Sequence, residues 1–157
     1  MTVYIFDASS LLVFQNYFPD TFQSFWEALD DLVDRDRVFS VKECLNELDT
    51  RINRPHLTNW VQRVKVIFRP PNNEETLFVS EILKNNRFRD LVKKAAILED
   101  KPVADPWIIA SGKIHKACVV TEESYKPHAA RIPNACEFYK VDCTNVEGFL
   151  KREKWRF

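Results

Sequence analysis

The stretch TVYIFDASSLLVF, residues 2–14, decides how this chain is read. Its opening, TVYIF, is rich in β-branched and aromatic residues with no polar alternation, which predicts a short strand buried on both faces. Asp7 ends that run, and SSLLVFQNYF then begins a helix. The same grammar returns further along. RVFS (37–40) and ACVVT (117–121) are further short strands, and EFYKVDC (137–143) is expected as the last one. Helices fill the intervals. Pro19-Asp20 opens DTFQSFWEALDDLVDR, in which Phe22, Phe25, Trp26, Leu29, Leu32 and Val33 recur at helical spacing. VKECLNELDTRI follows, with Val41, Leu45, Leu48 and Ile52 on one face. Residues 55–100 read as mostly helical with a break at RPPNN, and TNVEGFLKREKW reads as the last helix. Strands alternating with helices predict an α/β fold, with a central, mainly parallel β-sheet flanked by helices, as a single domain over residues 1–157.

Composition narrows the function classes. The 23 basic and 23 acidic residues cancel, so overall charge selects no partner. The two glycines, Gly112 and Gly148, belong to no phosphate-cradling loop, which argues against Walker-type and dinucleotide sites. Cys44, Cys118, Cys136 and Cys143 lack C-x-x-C spacing, and His56, His115 and His128 lack a paired-ligand pattern, which argues against structural zinc. Scattered cysteines fit reduced thiols in a cytoplasmic protein. Asp7 interrupts the N-terminal apolar run, unlike a signal peptide, and no apolar stretch reaches bilayer length.

Ligands of open α/β sheets bind beyond the carboxyl ends of the strands, at a switch in strand order. The acids at those ends are therefore the candidates. Asp7 ends the first strand, Glu123 follows VVT, and Asp105 opens ADPWIIASGKI just before that strand. Asp105 with Pro106 also makes a helix start, the Asp as cap and the Pro in the first turn. Glu43 and Glu47 lie four apart on the helix face expected to be opposite Val41, Leu45, Leu48 and Ile52. Ordinary roles compete with each. Asp7 is equally placed to cap the next helix, and helix glutamates are usually solvated. Taken jointly, carboxylates gathered at one sheet edge repel unless a cation neutralises them. Oxygen ligands without His or Cys select Mg²⁺ or Mn²⁺, and such ions suit phosphodiester hydrolysis.

The order YIFDASSLL, VKECLNELD, ADPWIIASGKI and ACVVTEE resembles the PIN-domain nucleases, and ADPWIIA with the tail RIPNACEFYKVDC to KREKWRF looks like a prokaryotic, toxin-like branch of them. Any one of these motifs is weak; their order over essentially the whole chain carries the resemblance. It implies metal ligands at Asp7, Glu47, Asp105 and Glu123, with Glu43 in reserve for Glu47 and Thr121 and Ser9 as supports. Glu123 departs from the commoner Asp or Asn. The implied activity is that of a Mg²⁺- or Mn²⁺-dependent endoribonuclease, and the implied role is the toxin of a toxin–antitoxin pair. Implied partners are RNA, an antitoxin and a second copy of the chain, and the aromatics Phe88 and Trp155 among the cations favour a single-stranded RNA. Two rival readings stay open: a weak or silent PIN-like module that binds RNA or protein, and a structure-specific DNA nuclease. Substrate-holding cations are sought in Arg51, Arg54, Arg63, Lys65 and Arg69, then Lys84, Arg87, Arg89, Lys93 and Lys94, and in the tail Lys151, Arg152, Lys154 and Arg156. Phe88 and Trp155 are expected either to stack on bases or to dock on the core.

Overall fold

A computed structural model describes residues 1–91 and 103–157. Lys93, Lys94 and the end of the expected 55–100 helical run lie outside the described residues. Five strands, β1 (Tyr4–Phe6), β2 (Val38–Val41), β3 (Phe68–Arg69), β4 (Cys118–Val120) and β5 (Cys143–Thr144), form one sheet in the order β3-β2-β1-β4-β5. Every neighbouring pair is parallel. Tyr4, Ile5 and Phe6 are all buried, as they must be in a parallel sheet covered on both faces. Ser40 is the polar exception inside β2, and its hydroxyl donates to the Phe6 carbonyl at 2.6 Å. The expected parallel α/β fold is thus the observed one.

The described helices are α1 (Ala8–Val13), α2 (Gln23–Asp34), α3 (Lys42–Arg51), α4 (Pro55–Arg63), α5 (Asn73–Lys84), α6 (Asp105–His115), α7 (Ile132–Tyr139) and α8 (Val146–Glu153). Phe25, Trp26, Leu29 and Leu32 of α2 bury its expected face. Phe14 and Phe25 meet edge-on with 5.0 Å between ring centres, and Phe149 of α8 meets Phe6 in the same way at 5.0 Å. The first of these edge-to-face contacts joins α2 to the turn after α1, and the second joins α8 to the central strand. Among the described residues no helix is long and apolar enough to cross a membrane.

Three elements differ from expectation. EFYKVDC is not a strand: α7 runs to Tyr139, Lys140 turns left-handed with φ 58°, and β5 begins only at Cys143. The helix is set from upstream, where Pro133 lies in its first turn and Ile132, Asn134, Ala135 and Cys136 form its buried side. α2 starts at Gln23 rather than after Pro19, and β3, only two residues long, has no sequence pattern to announce it.

Gly112 lies where α6 crosses the sheet. A Cβ there would stand 2.7 Å from Val119 Cγ2 and 3.0 Å from Val141 Cγ1, both in packed surroundings. Gly112→Ala is therefore expected to lower the unfolding free energy by about 1–3 kcal/mol, the usual cost of overpacking, measured by urea denaturation. An unchanged midpoint would mean the helix can move off the sheet freely.

Candidate active site at the carboxyl edge of the sheet

The strand order reverses between β1 and β4: the chain runs outward through β2 and β3, then crosses back to β4 and β5. Phe6 pairs with Val120, so Asp7 and Thr121 emerge side by side at the carboxyl edge. Asp7 N donates to the Val120 carbonyl at 3.1 Å, extending the pairing by one residue. Asp7 also caps α1, its Oδ1 accepting from Ser10 N at 2.9 Å. Cap and edge residue are one and the same.

The Asp7 carboxylate is almost wholly buried and held by hydroxyls. Thr121 Oγ1 donates to Oδ2 at 2.5 Å, and Ser9 Oγ lies 2.8 Å from each carboxylate oxygen. Each hydroxyl also accepts a backbone N–H, Ser9 from Glu122 at 3.0 Å and Thr121 from Glu123 at 3.1 Å. Two small side chains thereby tie the first acid to the loop that carries the last one. Burial pushes the Asp7 pKa up, and the bonds from Thr121, Ser10 and Ser9 pull against it.

Asp105 and Glu47 complete the electrostatic group. The Asp105 pKa is raised well above the ordinary carboxylate value by burial and then by Glu123, Glu47 and Asp7, while Arg51 opposes the shift. Glu47 is raised first by burial and also by Asp7 and Glu123, with the Ala104 N–H and Arg51 opposing. Asp105 therefore feels the other three acids singled out in the sequence, and Glu47 feels two of them. Asp105 does not cap its helix. Ala104 occupies the cap position, Asp105 is the first helical residue, and its side chain makes no capping bond. Ala104 N instead donates to Glu47 Oε1 at 3.3 Å, joining α3 to the start of α6.

The two helix glutamates are not on a solvated face. Cys44 and Leu48 form the buried side of α3, and Glu43 and Glu47 are both half-buried beside it. Of the pair, it is Glu47 whose charge reaches Asp105. Glu43 Oε2 is shielded from solvent without a hydrogen-bond partner among the described residues. Glu123 has a structural task as well: its Oε2 accepts from Ile132 N, the first N–H of α7, at 2.9 Å. Glu122 does the same for Val146 N of α8 at 2.8 Å, a contact the sequence reading did not anticipate. Both put negative charge at a helix N-terminus, where the macrodipole favours it.

Among the described residues, no three His, Cys, Asp or Glu side chains converge closely enough to hold an ion as they stand. The set nevertheless fits a hard divalent cation chemically. Its donors are carboxylate oxygens, burial raises the pKa values of Asp7, Glu47 and Asp105 with repulsion adding to the last two, and a shielded oxygen on Glu43 has no partner among the described residues. The expected base-stacking aromatics are absent from this edge. Phe88 is fully buried, and Trp155 is half-buried against Phe25 and Phe149. Several of the expected cations are engaged elsewhere, Arg63 with Asp30, Arg69 with Asp36, Lys151 with Glu147 and Arg152 with Asp142. Arg51, exposed at the end of α3, is the described cation whose charge reaches both Glu47 and Asp105.

The family model described as domain of unknown function (DUF4411) matches residues 4–157. No curated protein matches the sequence. Among solved structures, PAE2754 from Pyrobaculum aerophilum aligns with a TM-score of 0.50 at 14% identity, over 96% of this chain and 88% of that one. VapBC2 from Rickettsia felis, solved bound to a DNA fragment from their promoter, aligns with a TM-score of 0.50 at 14% identity, over 92% and 98%. FitAcB from Neisseria gonorrhoeae aligns at 0.49 and 15% identity, over 91% and 97%. The likeness to the first two is one of fold, that of a parallel five-stranded sheet flanked by helices.

A carboxyl group whose pKa is raised by folding keeps its proton longer in the native state than in the unfolded chain. Native stability is then greatest at low pH and falls as pH climbs from the ordinary carboxylate value of about 4 towards the raised ones. The metal-free protein is thus expected to lose melting temperature over that window. Asp105→Asn should flatten the loss and raise the melting temperature at pH 7, read by differential scanning fluorimetry in EDTA. A lower melting temperature for this variant at pH 7 would contradict the repulsion.

Proposed function

As this chain belongs to the DUF4411 family and brings Glu123, Glu47 and Asp7 within electrostatic reach of Asp105 at the switch point of its sheet, we propose that it is a metal-dependent ribonuclease of the PIN type. The observation that carries the reading is Asp7, an acid buried at the β1–β4 seam, fixed by Thr121 and Ser9, whose charge reaches Asp105 and Glu47. Burying repelling carboxylates is costly for a fold, and a cation offsets that cost. Asp7, Glu47 and Asp105 would hold Mg²⁺ or Mn²⁺, with Glu123 as the fourth acid and Glu43 the reserve on the same helix. When bound, such an ion lowers the pKa of a water and offsets charge on the phosphate.

The chain's own residues then have distinct tasks. Thr121 and Ser9 fix the orientation of the Asp7 carboxylate. Ala104 N orients Glu47. Arg51 supplies positive charge beside the acids, where a scissile phosphate needs it. The acids leave no need for a nucleophilic side chain, since water is the attacking group in hydrolysis. By resemblance to PIN toxins, this chain would be the toxin of a toxin–antitoxin pair, its acidic edge covered by an antitoxin segment and its active form a homodimer. A silent RNA- or protein-binding module is the second reading, and the observation favouring it is Glu123, whose carboxylate is already committed to Ile132 N.

Calorimetric titration with Mn²⁺ beside cleavage of a single-stranded RNA separates the two. The parent is expected to bind and cut. Asp7→Asn and Asp105→Asn should each lose more than the roughly 10- to 100-fold that follows loss of a group merely supporting a metal ligand. Binding without cleavage would leave the silent module, and no binding would remove the metal site. Thr121→Val keeps the volume but drops the hydroxyl, so its Mn²⁺ affinity should fall by roughly 10- to 100-fold with the circular dichroism spectrum unchanged. An unaltered affinity would make Thr121 a purely structural residue.

A further inference from the structure

Thr121 and Glu123 also form the wall of a cleft of about 580 Å³ on the β5 side of the site, lined further by Tyr125, Glu137, Thr144 and Asn145. That volume is in the range of small-ligand sites. Among the described residues no lysine or arginine lines the cleft. It offers instead an aromatic face and polar groups. Tyr125 is 50% exposed and its ring stacks on no other ring among the described residues. Most large aromatics of this chain are committed to the core, so an uncommitted ring beside a reaction centre is a platform for a flat partner.

The polar lining narrows the partner. Asp142 is neutralised by Arg152 at 2.6 and 3.0 Å, and Glu123 Oε2 is bonded to Ile132 N. Glu137 is exposed, and its carboxylate makes no hydrogen bond or ion pair among the described residues. Asn145 Oδ1 caps α8 through Gly148 N at 2.8 Å, which leaves its amide N–H groups as donors at the rim. A stacking ring, an accepting carboxylate and a donating amide suit the edge of a nucleobase. A carboxylate accepts well from an exocyclic amino group. It is poorly matched to uracil, whose single ring N–H is flanked by two carbonyl oxygens that repel it.

We propose that this cleft is a base subsite next to the candidate cleavage centre, in which Tyr125 stacks on an unpaired base and Glu137 selects bases bearing an exocyclic amino group over uracil. The subsite rests on the ribonuclease reading and adds to it a sequence preference. Tyr125 and Glu137 are both on the surface, so their substitution leaves the core untouched.

Cytosine and uracil differ at the position that matters, amino against oxo, which makes oligo(C) and oligo(U) the probes. Fluorescein-labelled decamers of each would be titrated with the full chain by anisotropy in Mn²⁺, with cleavage of the same decamers followed on gels. The expected result is roughly tenfold tighter binding of oligo(C), lost in Glu137→Gln, with both decamers weakened roughly tenfold in Tyr125→Ala, as for loss of one stacked base. Equal affinity of the parent for the two decamers, or full affinity in Tyr125→Ala, overturns the subsite. Cleavage with no base preference overturns it while the nuclease reading stands. Base preference without cleavage supports the subsite and removes the nuclease reading, and no binding of either decamer overturns both.

Discussion

The Asp7 carboxylate is the constraint on which the rest of the structure depends. It sits where β1 ends, beside the end of β4, and it is enclosed by the fold while carrying a group that prefers water. Three donors compensate it: the Thr121 and Ser9 hydroxyls and the Ser10 amide. They come from α1 and from the residue after β4, so the acid can be satisfied only when the crossover from β3 back to β4 has placed Thr121 next to β1. Those two hydroxyls also accept the N–H groups of Glu122 and Glu123, whose own carboxylates seat α8 and α7. One buried acid thereby organises the loop after β4 and, through it, both C-terminal helices.

The same arrangement stores electrostatic tension. Glu123, Glu47 and Asp7 raise the proton affinity of Asp105, and Asp7 and Glu123 raise that of Glu47, with Arg51 in partial opposition. A fold selected for stability alone would replace such a cluster with neutral residues at little structural loss. Its presence at the switch point of a parallel sheet, where α/β proteins place ligands, is what turns a packing description into a functional one.

Much of this was legible in the chain. TVYIF and ACVVT read as buried strands because unbroken apolar runs have few other uses in an α/β domain, and the acids directly after them followed from that. The misreadings share a cause, which is that local signals were outranked by tertiary neighbours. EFYKVDC has the aromatic content of a strand, yet Pro133 and the Ile132–Glu123 bond had already committed the segment to a helix. Asp105-Pro106 has the form of a cap, but Ala104 takes the cap position because its N–H is held by Glu47, a residue 57 positions away. Glu43 and Glu47 lie on the face expected opposite the apolar stripe, yet both are half-buried, because Cys44 joins Leu48 on the buried side of α3. The sequence leaves Phe88 and Trp155 open between stacking and docking, and they dock, Phe88 within the core beside Tyr139 and Trp155 half-buried against Phe149.

Crystals soaked in Mn²⁺ and measured at the manganese absorption edge test the central claim most directly. A buried-acid cation site requires an anomalous peak among Asp7, Glu47 and Asp105, within manganese–oxygen bonding distance of Asp7. A map with no peak there, or with manganese bound only at surface acids such as Asp31 and Glu147, would contradict it and leave Asp7 as a helix cap that closes the seam between β1 and β4.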